Sequence, residues 1–181
     1  MQLSVKRQTE KDSLRVSKIL HSINDFERLG DHAVNLVEAA QELHEKGLQF
    51  SDKAKAELSV LREAIGEILT ITSQAYAEND GAAARKVEPI EQCVDHLVTD
   101  IKARHIDRLQ AGECSIPLGF ILSDVLNNFE RISDHCSNIA VAVIAQANKD
   151  FDTHQYLRDM KQDDADYHRM RKEYGEKYQL K

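Results

Sequence analysis

One acidic, amide-rich string occurs twice in this chain, and the distance between its copies constrains the fold more than any other feature. The string "NDFERLGDHAVNLV" spans residues 24–37, and "NNFERISDHCSNIA" spans residues 127–140, an offset of 103 residues. Identical residues in the two copies are Asn24, Phe26, Glu27, Arg28, Asp31, His32 and Asn35, which recur as Asn127, Phe129, Glu130, Arg131, Asp134, His135 and Asn138. Most of these residues are polar, and polar types kept in the same order indicate an internal repeat.

The scarcity of helix-breaking residues favours long helices over a turn-rich β fold. The 181 residues include two prolines, seven glycines and no tryptophan. We therefore predict an all-α fold, an antiparallel helical bundle that buries its own core. The net charge of −7 argues against nucleic acid as a partner, because phosphate binding needs a surplus of Lys and Arg. Three cysteines without C-x-x-C spacing indicate neither a disulfide framework nor a zinc knuckle.

The first long helical pattern, helix A, is predicted over residues 9–46. Thr9 is a suitable N-cap, and Gly47 is a typical residue for the C-terminal end of a helix. Apolar residues recur every three or four positions, which is the spacing by which long helices pack nearly antiparallel. The predicted inward-facing residues are Ile19, Ile23, Phe26, Leu29, Ala33, Leu36, Ala40 and Leu43.

Three more helices, B, C and D, are predicted after helix A. Ser51 is the N-cap of helix B, which runs to the "ENDG" turn at residues 78–81. Helix C follows this turn at once and ends near Gly112, and Ser115 with Pro117 opens helix D. The predicted inward-facing residues are Leu58, Leu61, Ile65, Leu69 and Thr72 in helix B, Val87, Ile90, Val94, Leu97 and Ile101 in helix C, and Leu122, Val125, Phe129, Ile132, Cys136, Ile139 and Val143 in helix D.

The offset of the repeat predicts how the chain is organised. Residues 1–148 are expected to form one helical bundle. Helices B, C and D, over residues 52–148, make a complete three-helix unit, and helix A, over 9–46, corresponds to the last helix of a preceding unit. We therefore expect the chain to be truncated at its N-terminus. Residues 149–181 are highly charged and rich in tyrosine, and they are predicted to form short helices over the bundle, with a solvated tail as the alternative.

The repeated string places a stripe of oxygen atoms on one helix face. Glu27 and Asp31 are four residues apart, so they share a face of helix A and repel each other unless a cation lies between them. The candidate metal ligands are Asn24, Glu27 and Asp31 on helix A, Glu91 and Asp95 on helix C, and Asn127, Glu130 and Asp134 on helix D. The alternative is that these stripes are solvated, or that Arg28 and Arg131 neutralise them.

The ligand types restrict the metal and the kind of protein. Carboxylate and amide oxygens suit Mg²⁺, Mn²⁺ and iron, and they suit zinc only with help from histidine. His32 and His135 directly follow the aspartates, and each either flanks such a site or is a surface or capping residue. The Glu-x-x-His spacing of di-iron bundles, Gly-rich phosphate loops and hydrolase motifs are absent, so we predict no catalytic residue and no organic cofactor. Cys136 is predicted to be a core thiol.

The two strings resemble the duplicated signature of PhoU proteins, the regulators of bacterial phosphate uptake, which are built from tandem three-helix units. This resemblance covers about residues 9–147 and implies that Glu-x-x-x-Asp motifs bind multinuclear iron or zinc clusters. The corresponding pairs here are Glu27/Asp31, Glu130/Asp134 and Glu91/Asp95. Helix A lacks the two helices that would precede it in that family, so the site between helices C and D is predicted to be the more complete one.

The segments "ARHIDRLQAGECS" and "YHRMRKEYGEKY" are more similar to the C-terminal region of bacterial sodium/phosphate cotransporters than to a free-standing PhoU protein. This resemblance implies a non-enzymatic, cytoplasmic regulatory domain of a larger membrane protein, whose partner is the membrane domain of a phosphate transporter. No window of the sequence approaches the apolar length of a transmembrane helix, so no insertion of this chain itself is expected. Exposed apolar surface is expected along helix A, and a homodimer would cover it. The alternative function is a structural adaptor or oligomerisation module without metal.

Overall fold

Long helices account for nearly all of the structure. The computed structural model describes residues 10–146, 158, 160–161 and 164–180, and within these residues it contains no strand. The helices are α1 (Glu10–Glu45), α2 (Asp52–Glu78), α3 (Gly81–Ala84), α4 (Val87–Gln110), α5 (Ile116–Ala145) and α6 (Ala165–Lys177). The all-α prediction is confirmed, and helices A, B, C and D correspond to α1, α2, α4 and α5.

Local capping explains where these helices begin and end. The Ser51 hydroxyl accepts a hydrogen bond from the Ala54 amide at 3.3 Å and starts α2, as predicted. Asn79 ends α2 in the left-handed conformation, with φ of 56°. One detail differs from the prediction, because α4 does not follow the turn at once. Asp80 instead caps the single turn α3, and α4 begins at Val87. The predicted N-cap Thr9 lies outside the described residues.

Helices α2, α4 and α5 form most of the core. The hydrogen bonds from Ser137 on α5 to Glu88 and from Lys102 to Glu130 show that α4 and α5 are antiparallel. All five predicted inward-facing positions of α4 are buried, which confirms its apolar periodicity. Cys136 is fully buried, and burial raises the pKa of its thiol to about 12, so it is an inert core residue as predicted.

Helix α1 packs antiparallel on α5, but its other side is open. Leu29 and Leu36 pack against the core as predicted. Five positions that were predicted to face inward are exposed instead: Ile19, Ile23, Phe26, Ala33 and Ala40. The physical reason is that no helix among the described residues covers the side of α1 that carries Ile19 and Ile23, while Phe26 is only partly covered, by Tyr76 of α2. The expected exposed apolar surface is therefore present, and it includes the large residues Val16, Leu20, Val34 and Val37.

The described part of the C-terminal region also packs on the bundle. Helix α6 contacts α4, and Met160, Tyr167 and Tyr178 are buried. Residues 149–157 of the predicted C-terminal region lie outside the described residues, and the division of the chain into a truncated and a complete repeat stays a prediction. Among the helices of the described segments, none has the length and apolar character that crossing a bilayer requires.

Candidate metal site between α4 and α5

Three of the eight candidate ligands converge between two helices. Glu91 and Asp95 lie one turn apart on α4, and Asp134 approaches them from the antiparallel helix α5. One ligand oxygen from each of these residues lies within 4.8 Å of the other two. Three carboxylates at this separation repel one another, and a cation placed among them would remove that repulsion.

Burial makes this cluster electrostatically unusual. Glu91 is buried, and burial, followed by the negative charge of Glu88, raises the pKa of Glu91 to about 8. Burial also raises the pKa of Asp95, and the charges of Asp134 and Glu130 act in the same direction. Asp95 Oδ1 is buried without a hydrogen-bond partner among the described residues. A buried acceptor in this state is costly, so this oxygen is suited to a ligand.

Glu88 extends the acidic cluster, and sequence reasoning did not identify it. Its carboxylate is buried and accepts hydrogen bonds from Ser137 Oγ at 2.5 Å and from Lys161 Nζ at 2.7 Å. Burial lowers the pKa of Lys161, but the hydrogen bond and charge of Glu88 outweigh it, and the net shift is upward. The position of Glu88, three residues before Glu91, was a usable signal because it places both residues on one face of α4.

The other candidate ligands on α5 lie beside the cluster. Glu130 accepts a hydrogen bond from Lys102 Nζ at 3.1 Å, which neutralises part of its charge. Asn127 is exposed on α5. Asp134 is also paired with Arg131, at 3.0 Å between the guanidinium and the carboxylate. The helix D stripe therefore contributes Asp134 to the three-carboxylate cluster, while Glu130 lies at its edge.

The copy of the string on α1 has no comparable site. Asn24, Glu27 and Asp31 are all exposed. Asp31 pairs with Arg28 at 3.4 Å across an exposed surface. No second acidic helix among the described residues approaches these side chains. In the described part of the chain, the only group of three or more potential metal ligands is the one between α4 and α5.

Part of the repeated string holds the two copies together. His32 Nδ1 lies 2.8 Å from Asn128 Oδ1, and Asn35 donates to the same oxygen at 3.0 Å. In the other direction, the side chains of His135 and Asn138 bond to Asp25 Oδ1 at 2.8 and 3.1 Å. Asp25 and Asn128 occupy equivalent positions of the two copies. The His32 and His135 rings stack between them at 5.5 Å.

This exchange of hydrogen bonds gives the repeated His and Asn residues a packing role. From the sequence, the two histidines were predicted to flank a metal site or to be surface or capping residues, and Asp25 and Asn128 were not identified. The signal was available, because residues 25 and 128 are equivalent and both carry a side-chain oxygen. Because α1 and α5 pack antiparallel, the histidine of each string lies opposite the side-chain oxygen of the other string: His32 opposite Asn128, and His135 opposite Asp25.

The donor set determines which metals fit the cluster. Glu91, Asp95 and Asp134 offer three carboxylates, which suit Mn²⁺, Mg²⁺ and iron. Of the two nearest candidate nitrogen ligands along the chain, His135 bonds to Asp25 and His96 bonds to the Gln92 carbonyl. The three-carboxylate donor set therefore fits oxygen-preferring cations better than zinc.

Comparison with known proteins agrees with this architecture. Residues 58–143 match the PhoU domain family. The phosphate-specific transport system accessory protein PhoU homolog 1 of Thermotoga maritima is 26% identical over 129 residues, which cover 70% of this chain and 53% of that protein. The PhoU homolog of Deinococcus radiodurans is 26% identical over 133 residues, 74% of this chain and 61% of that protein.

A third relative extends the comparison to another group of bacteria. The PhoU homolog of Streptococcus pneumoniae TIGR4 is 28% identical over 134 residues, 71% of this chain and 58% of that protein. The chain thus spans a little over half the length of these relatives. No solved structure is significantly similar to it. The matched segment, residues 58–143, contains α4, most of α2 and nearly all of α5.

Proposed function

We propose that this protein is a non-catalytic regulatory domain of phosphate uptake that binds a metal ion between α4 and α5. The relatives are accessory proteins of phosphate-specific transport systems by name, and the chain shares their domain.

The observation that supports metal binding most strongly is the arrangement around Asp95. Its buried Oδ1 has no hydrogen-bond partner among the described residues, and it belongs to a cluster with Glu91 and Asp134. These three residues would hold the ion, which supplies positive charge where three negative groups meet. Because Glu91 and Asp95 lie on α4 and Asp134 lies on α5, occupancy would fix the two helices relative to each other. Iron is the first candidate, with manganese, magnesium or zinc as alternatives.

The proposed partner is the membrane domain of a phosphate transporter, specifically a sodium/phosphate cotransporter. This part of the proposal rests on the resemblance of "ARHIDRLQAGECS" and the tyrosine-rich segment of α6 to the C-terminal region of such proteins. The segment of α6 packs on α4, the helix that carries Glu91 and Asp95. Metal occupancy and the surface offered to the transporter are therefore linked through one helix.

A second candidate function is a structural adaptor that works without metal. Two ion pairs favour it, because Lys102 neutralises Glu130 at 3.1 Å and Arg131 neutralises Asp134 at 3.0 Å. In this case the acidic residues would be satisfied by protein cations, and the exposed side of α1 would mediate assembly, for example as a homodimer.

Metal content and thermal stability separate these two functions. Protein purified without chelator is expected to retain a transition metal by elemental analysis, and its Tm is expected to fall when EDTA removes the metal. The adaptor function predicts no retained metal and no change of Tm on adding iron, manganese or zinc salts.

The regulatory role is tested in the intact protein. Asp95→Ala combined with Asp134→Ala is expected to deregulate phosphate uptake, measured with radioactive phosphate in phosphate-replete cells. The matched control is Glu27→Ala combined with Asp31→Ala, which removes the same charge from α1. Unchanged regulation in the first variant, at normal protein level, would overturn the regulatory proposal.

A further inference from the structure

A second cleft lies at the opposite side of α5, between α1, α2 and α5. Its volume is about 450 Å³, which is within the usual range of small-molecule sites. Its apolar wall is formed by Leu36, Ala40 and Leu43 of α1, Phe50 and Leu58, and Val125 and Phe129 of α5. It shares no lining residue with the three-carboxylate cluster.

The internal repeat explains why this cleft is open. At the other end of α2, Tyr76 fills the corresponding space. Its ring packs edge-to-face on Phe26 at 4.9 Å, and its hydroxyl accepts a hydrogen bond from Ser22. Phe129 is the repeat equivalent of Phe26, and it lines the open cleft. The α2 side chains that line the cleft include Ser59 but no aromatic residue, so no α2 side chain fills the cleft as Tyr76 fills the corresponding space.

The polar lining of the cleft is cationic. Lys55 and Arg62 lie seven residues apart on one face of α2, with Ser59 between them, and no acidic residue lines the cleft. Lys55 also forms an exposed ion pair with Asp52, with 3.6 Å between Nζ and the carboxylate. Arg62 has no ion-pair or hydrogen-bond partner among the described residues. A ligand with an apolar body and an anionic end would match both the wall and this edge.

We propose that the cleft binds a fatty acid of about twelve carbons, whose chain length suits a site of this size. The carboxylate lies between Lys55 and Arg62, and the alkyl chain runs along Leu58, Phe129 and the α1 wall. This site is independent of the proposed metal site and of phosphate regulation, and either can fail without the other.

Titration with sodium dodecanoate below its micellar concentration tests the proposal. The expected result by isothermal titration calorimetry is one site per chain, and at least tenfold weaker binding of the neutral analogue dodecanol. Lys55→Gln combined with Arg62→Gln is expected to weaken dodecanoate binding at least tenfold. The matched control, Lys53→Gln combined with Lys86→Gln, removes the same charge outside the cleft and is expected to leave affinity within twofold.

A filling variant tests the location. Ser59→Phe supplies the aromatic ring that Tyr76 provides at the other end of α2, so it is expected to abolish dodecanoate binding while circular dichroism stays unchanged. Val34→Ser on the exposed side of α1 is expected to have no effect. The proposal is overturned if dodecanoate does not bind, if Ser59→Phe folds and binds normally, or if Val34→Ser removes the binding. The last result would assign the ligand to the exposed side of α1.

Discussion

The two copies of one string have different surroundings, and their comparison shows what the string specifies by itself. On α5 the copy is enclosed by α2 and α4, and Leu126, which directly precedes it, is 1% exposed. Its equivalent on α1, Ile23, is 55% exposed because no described helix covers that side. Likewise Asp134 joins Glu91 and Asp95, whereas its equivalent Asp31 faces solvent. The string specifies contact between the copies, and the neighbouring helices decide whether its acidic face forms a site.

The largest expected difference between the copies is in stability. Leu126→Ala creates a cavity in the core and is expected to lower the free energy of unfolding by about 2–5 kcal/mol. Ile23→Ala removes an exposed side chain and is expected to change it by no more than about 0.5 kcal/mol. Urea denaturation measures both. A similar large loss for Ile23→Ala would mean that α1 is covered in solution, for example by a second copy.

The next difference concerns the acidic faces. The folded protein raises the pKa of Glu91 to about 8, so between its unfolded value near 4.5 and pH 8 the folded state holds more protons. The contribution of Glu91 to stability is therefore lost as pH rises through this window. Glu91→Gln is expected to stabilise the metal-free protein by about 1–3 kcal/mol at pH 8 and to have little effect below pH 4.5.

The matched control for this stabilisation is Glu27→Gln, whose carboxylate is exposed on α1. It is expected to change stability by less than about 0.5 kcal/mol at any pH, because solvent already screens this group. Thermal unfolding of the metal-free proteins at pH 4 and pH 8 measures the effect of both variants outside and at the upper end of this window. Equal effects of the two variants would contradict the difference between the faces.

The metal affinity of the cluster is expected to depend on the protonation of Glu91. Metal has to displace the proton of Glu91 below pH 8, so the Mn²⁺ affinity is expected to rise up to about tenfold per pH unit from pH 6 to 8 and then to level off. Competition with a fluorescent chelator measures this dependence. A flat profile over this range would exclude Glu91 as a titrating ligand.

The smallest expected effect on stability comes from removing the hydrogen bonds between the two copies. Asp25→Ala leaves His135 and Asn138 without their shared acceptor, and Asn128→Ala does the same to His32 and Asn35. Each is expected to cost about 1–2 kcal/mol, with Asp25→Ala the larger because its bonds involve a charged group. Urea denaturation of the single and double variants checks this. No loss in either variant would show that the crossed hydrogen bonds do not stabilise α1 on α5.

Helix positions were predictable from the sequence because their signals are local. Ser51 caps α2 and the apolar spacing of α4 marks its buried side, so both could be identified without knowing the fold. Periodicity in α1 identified an apolar stripe, but a stripe does not show whether another helix covers it. This is why Ile19 and Ile23 were wrongly predicted to face inward.

The candidate site was predictable only in part. The i, i+4 spacing of Glu91 and Asp95 and the resemblance to PhoU proteins pointed to α4 and α5, where the structure brings these residues to Asp134. The contact of Lys161 with Glu88 joins residues 73 positions apart, and no local pattern signals such a contact. The pKa of Glu91 depends on burial, which is likewise a property of the assembled bundle.

The most direct measurement of the difference between the copies is a calorimetric Mn²⁺ titration of two matched double variants after chelator treatment. Asp95→Asn combined with Asp134→Asn removes two carboxylates from the cluster, and Glu27→Gln combined with Asp31→Asn removes two from α1. We predict at least about 100-fold weaker binding in the first variant and less than about twofold change in the second. Equal losses, or no loss in the first variant, would contradict a metal site between α4 and α5.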